Sequence, residues 1–110
     1  MKKTLVALAL LSISGCATVE PGYAGSQSGI ASIFCDRHTA SGVHMDCSAM
    51  VAAHKSIPFG THVTVHNGNH SIVVTIIDRG PYVHGRIIDL SPGAGRALGC
   101  PGLCKVELEW

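Results

Sequence analysis

Beyond residue 28 the chain alternates short apolar runs with Gly, Pro and Asn. The segments Ile30–Phe34, His62–His66, Ser71–Ile77, Arg86–Asp89 and Lys105–Glu109 are brief and rich in β-branched residues, which predicts strands. Val63 and Val65 alternate with His62, Thr64 and His66, so that strand has one buried and one wet face. Ser71–Ile77 is apolar at most positions on both faces, as suits an inner strand. Asn67-Gly68 between two of these runs predicts a hairpin of type I′, because both residues tolerate positive φ. Pro92–Leu98 is the one helical segment, with Pro at its start and Gly99 just past its end. The pattern is therefore mainly β, with one short helix.

The first residues follow a different rule. Lys2 and Lys3 precede an apolar run from Leu5 to Leu11, and Ile13-Ser14-Gly15-Cys16 fits the lipobox before a lipid-modified cysteine. Such a run is too short for a membrane-spanning helix, which needs about 20 apolar residues. Residues 1–15 are thus expected to be a signal peptide, Cys16 the acylated residue, and the membrane a partner through that anchor. Ala17, in place of an inner-membrane retention Asp, favours sorting to the outer membrane. Residues 16–28 are Gly-, Ser- and Pro-rich and read as a tether; residues 29–110 read as one small domain.

Without Lys2 and Lys3, six basic residues face seven acidic ones, so the mature chain is nearly neutral. No basic patch supports nucleic-acid binding. A domain this small gains from covalent support. Cys35, Cys47, Cys100 and Cys104 form an even set in an exported chain, and two disulfides are expected. Pairing Cys35 with Cys47 and Cys100 with Cys104 closes the shortest loops, but the sequence leaves all three pairings open. No Cys-x-x-Cys knuckle is present, and His62 and His66 on one strand are about 13 Å apart, beyond the reach of one ion. No metal or cofactor is called for.

Five blocks, in order, resemble the RlpA-like family: Gly29-Ile30-Ala31-Ser32, Thr39-Ala40-Ser41-Gly42, the run Ala52–Gly60 around His54, the run Ile72–Leu90 around Asp78, and Ala97-Leu98-Gly99. The resemblance implies a six-stranded double-psi β-barrel that acts on, or binds, the glycan strands of peptidoglycan. It also implies that Asp78 is the catalytic acid and that His54 lines the groove beside it. Longer members carry a further peptidoglycan-binding domain; here the barrel itself is expected to meet the glycan.

The residues themselves allow alternatives. The apolar strand leading into Asp78 favours the protonated carboxyl that a general acid needs. The competing role is a cap of the Arg79-Gly80-Pro81 turn. Arg79 is placed in the site, where pairing with Asp78 would oppose protonation. His54, after small residues and before Pro58-Phe59-Gly60, reads equally as a structural histidine. Thr39 and Ser41 are candidate ligands for sugar hydroxyls or turn caps. Glycan-cleaving members resemble Thr-Ala-Ser-Gly-Glu at this loop, but here Val43 follows Gly42. His44 and Asp46 are the nearest substitutes, competing with a solvated loop. Asp89 is a candidate second carboxylate, or else a cap of the Pro92 helix or a partner of Arg86. Two functions follow: a lytic transglycosylase using Asp78 and His54, or a non-catalytic glycan-binding barrel. A barwin-like inhibitor is a third class, with only the cysteines in its favour.

Overall fold

The computed structural model describes residues 23–110. The expected signal peptide and Cys16 lie outside them. Six strands, β1 (Ser26–Ile33), β2 (Val51–Ala53), β3 (His62–Asn67), β4 (His70–Asp78), β5 (Arg86–Leu90) and β6 (Cys104–Glu109), close into a barrel. Their order around it is β1-β5-β2-β4-β3-β6. Closure pairs every strand on both sides, so no edge is left open. One helix, α1 (Pro92–Leu98), follows β5. Among the described residues no helix is long and apolar enough to cross a membrane.

Alternation fills the interior. Val63 and Val65 of β3, Val74 and Ile76 of β4, Ile88 and Leu90 of β5, and Val106 and Leu108 of β6 all lie in one buried cluster. Each such side chain stabilises the fold by about 1.5–3 kcal/mol on burial. The inner-strand expectation for β4 holds only in its second half. Val73 is 52% exposed, so the strand alternates there and is buried on both faces only at Ile76 and Ile77.

Three boundaries differ from the sequence expectation. β1 starts at Ser26, inside the expected tether, because Ser26–Ala31 pair with Glu109–Cys104. β2 was not expected: three small residues carry no readable period, and the strand exists because Ala52 and Ala53 lie between β4 and β5. The hairpin turns at Gly68-Asn69 rather than Asn67-Gly68, since Asn67 still pairs with His70. Only Gly68 there has positive φ, 60°, as in two-residue turns that begin with glycine.

Helix α1 has the expected ends. Pro92 occupies its first turn and Gly99 its left-handed C-cap, φ 82°. The N-cap is Ser91, whose Oγ accepts from the Ala94 amide at 3.0 Å and donates to the Ala49 carbonyl. Disulfides join Cys35 to Cys47 and Cys100 to Cys104. The first pins the loop between β1 and β2; the second pins the turn between α1 and β6.

Candidate active site

Asp78 is the last residue of β4. In register beside it stands Ala53 of β2, and beyond Ala53 stands Asp89 of β5, which neighbours Ser32 of β1. Strand spacing puts the two aspartate backbones about 10 Å apart, one strand between them. Asp78 Oδ1 accepts two backbone N–H bonds, from Ala40 and from Arg79, both at 2.8 Å. Oδ2 accepts none from the described residues. One oxygen is thus held by the fold, while the other is open to exchange a proton or meet a ligand. The expected turn-cap bond is therefore present on Oδ1, and Oδ2 has no partner among the described residues.

The loop from Thr39 to Val43 is fastened to this strand end. The Ser41 amide donates to the Ile77 carbonyl at 3.2 Å, and Gly42, φ 85°, lets the chain double back. Thr39 Oγ1 bonds the Val43 carbonyl, and Ser41 Oγ accepts from the Val43 amide at 3.2 Å. Both hydroxyls are therefore engaged in shaping the turn. Val43 at its tip is 51% exposed.

His54 reaches Asp78 through the backbone: its N–H donates to the Asp78 carbonyl at 3.2 Å. Its ring points elsewhere. Nδ1 accepts from the amides of Ser56 and Ile57, both at 3.1 Å, and Nε2 lies 2.8 Å from Gln27 Oε1. An Nδ1 that accepts two N–H bonds carries no proton, so Nε2 carries it and donates to Gln27. His54 as a whole is 4% exposed, and burial holds its pKa below the ordinary value, helped by the charges of Arg79 and Lys55. Neutral His54 organises the following loop, and neither ring nitrogen faces the Asp78 carboxyl.

Arg79 makes no ion pair with Asp78. Its Nη1 donates to the carbonyls of His54 at 3.1 Å and Ile57 at 2.9 Å, and its guanidinium lies 3.9 Å from the centre of the Phe59 ring. Arg79 therefore holds the loop through its carbonyls, as the His54 ring does through its amides.

The remaining candidates separate. Asp89 accepts from Ser32 Oγ and caps nothing; the helix cap is Ser91, and Arg86 is not its partner. Asp46 accepts from the Ser48 amide at 2.9 Å and the Ser48 hydroxyl at 2.7 Å. Those bonds hold its carboxyl below the usual range and tie it to its own turn. His44 is exposed and makes no side-chain hydrogen bond to the described residues. Gln27 and Ser32 escaped the sequence reading. Gln27 sat among Ser and Gly residues that resemble a tether, and Ser32 has no local signal that would reveal its distant partner.

A family model described as lytic transglycolase, of the double-psi β-barrel type, matches residues 26–110. The chain belongs to this family. It is similar to a probable endolytic peptidoglycan transglycosylase RlpA from Nostoc sp., 51% identical over 80 residues, covering 69% of this chain and 22% of the relative. A protein of the same description from Treponema pallidum is 41% identical over 120 residues, covering 99% of this chain and 37% of the relative. The chain thus matches well under half the length of these relatives. Among solved structures the Streptomyces papain inhibitor superposes with a TM-score of 0.65 at 20% identity, covering 79% of this chain and 94% of the inhibitor. That likeness shows the barrel fold alone.

Proposed function

We propose that the barrel cleaves peptidoglycan glycan strands as a lytic transglycosylase, with Asp78 as its single acid/base. The observation that carries this is the carboxyl with one oxygen anchored by two backbone amides and the other open. In the reaction, the protonated carboxyl gives its proton to the bridging glycosidic oxygen as the C1–O bond breaks. The C6 hydroxyl of the same muramyl residue then attacks C1 and returns its proton to Asp78. A 1,6-anhydromuramyl end forms, no water is consumed, and one titrating group suffices. The sequence relatives named as endolytic transglycosylases support the same chemistry.

His54 serves this site as a structural partner, since its ring bonds shape the loop beside Asp78. Arg79 acts through the same loop. Acylation at Cys16 would hold the domain on the outer membrane, facing the periplasm and its glycan. A second reading, a glycan-binding barrel without cleavage, is favoured by one observation: exposed Val43 occupies the loop tip where cleaving members resemble a Glu. Incubation with purified glycan strands and mass analysis of the products separates the readings, because 1,6-anhydro ends arise only by cleavage.

A further inference from the structure

We propose that Gln27 is a positioning residue of the site: its side-chain amide fixes the tautomer of His54 and thereby sets the loop against which the Asp78 strand end is built. This rests on the transglycosylase reading for its consequence, though not for its geometry. Gln27 is itself exposed, but it pairs in register with fully buried Leu108, so its side chain leaves β1 on the face that carries Leu108, at the open mouth of the barrel. There it accepts the Nε2 proton of His54 at 2.8 Å. A buried ring N–H needs an acceptor, and among the described residues Gln27 is the one that supplies it.

The choice of an amide matters. With Nε2 protonated, Nδ1 is free to accept the Ser56 and Ile57 amides. A carboxylate at the same place would favour imidazolium, whose Nδ1–H would oppose those two donors. A neutral acceptor keeps the ring neutral. The brace around it is continuous: Gly25 and Trp110 exchange two backbone bonds, 2.8 and 3.1 Å, and the Trp110 ring lies 6.0 Å from that of His54. A Cβ on Gly25 would meet the indole at 2.5 Å, so any larger residue there would displace the Trp110 ring. From His54 the coupling runs through its own N–H to the Asp78 carbonyl, and through its carbonyl to Arg79.

The test compares full-length wild type, Gln27→Met, Gln27→Asn and Gln27→Glu. Long-range ¹⁵N spectra of the imidazole report the tautomer, and amide exchange at Ser56 and Ile57 reports the loop. Wild type is expected to show a bare Nδ1. Gln27→Met, and Gln27→Asn whose amide is one methylene too short, should each accelerate exchange at both amides about tenfold, the equivalent of one lost hydrogen bond. The rate of 1,6-anhydro release should fall by a similar factor at unchanged KM. Gln27→Glu should move the His54 titration upward. Melting curves identify any variant that is globally unfolded, and the others then decide. A wild-type Nδ1–H tautomer overturns the proposal. So does unchanged exchange in both amide-removing variants, or cleavage that falls while tautomer and exchange stay as in wild type. Cleavage that persists while the loop loosens overturns the positioning role. A wild type that cleaves nothing would count against the proposed activity instead, and the tautomer and exchange results would still decide whether Gln27 sets the loop.

Discussion

Replacing Arg79 by Met separates a loop clamp from a substrate ligand. Methionine retains much of the stem's packing but removes the guanidinium. Two hydrogen bonds disappear, to the carbonyls of His54 and Ile57, together with the stacking on Phe59 at 3.9 Å. Hydrogen bonds to a charged group contribute about 1.5–3 kcal/mol each and an exposed cation–π contact about 0.5–1 kcal/mol. Phe59 is 41% exposed, and water can re-solvate part of the freed carbonyl surface, so the net loss is smaller than the sum. We expect about 1–3 kcal/mol, which in a domain of this size lowers Tm by roughly 5–20 °C. Thermal unfolding followed by circular dichroism measures it. Arg79→Lys, which keeps the charge but not the planar stack, should fall between the two. An unchanged Tm in Arg79→Met together with at least tenfold weaker glycan binding would refute the clamp and make Arg79 a ligand of the sugar.

Protonating His54 must break its two bonds from the Ser56 and Ile57 amides, and its folded pKa lies below the unfolded value. Its contribution is therefore complete above about pH 6.5, and is lost as pH falls from there through the depressed folded value, by at most about 1.4 kcal/mol per pH unit. Denaturant titrations of wild type and His54→Gln across this range should show that the substitution removes this part of the slope; equal slopes would contradict the neutral-ring assignment. Thiol counting on denatured, unreduced protein should find no free thiol among Cys35, Cys47, Cys100 and Cys104, and reduction should cost about 2–4 kcal/mol per bridge. Cys16→Ser should release the domain from membranes, or leave an uncleaved precursor, without unfolding the barrel. Unchanged lipid labelling and fractionation would remove the anchor.

What the sequence made legible was what local rules control. Pro92 and Gly99 bound the helix because a fixed φ and a left-handed C-cap are properties of single residues. The alternation of Val63 and Val65 with polar residues, and the β-branched run around Val74 and Ile76, marked strands because both patterns are local, and these four side chains do fill the interior. Where one element's role depends on a distant one, the signal failed. Ser26–Ser28 look like linker until β6 pairs with them, and Val51–Ala53 become a strand only between β4 and β5. The cysteine pairing needed topology for the same reason. In the site, the segments carrying Asp78 and His54 were visible, but ring direction was not. That His54 turns to Gln27, Arg79 to two carbonyls and Asp89 to Ser32 depends on contacts 22 to 57 residues apart in the chain.

The central claim is that Asp78 supplies the proton in a cleavage that needs no water. The most direct measurement is mass analysis of glycan strands after incubation with wild type, Asp78→Asn and Val43→Glu. Asparagine keeps an oxygen for the Ala40 and Arg79 amides, so the fold should hold and stability should change by less than about 1 kcal/mol, while the titrating group is gone. We predict 1,6-anhydro ends from wild type, more of them from Val43→Glu, and none from Asp78→Asn. Undiminished 1,6-anhydro product from Asp78→Asn, or none from wild type and Val43→Glu while both still bind glycan, would contradict it.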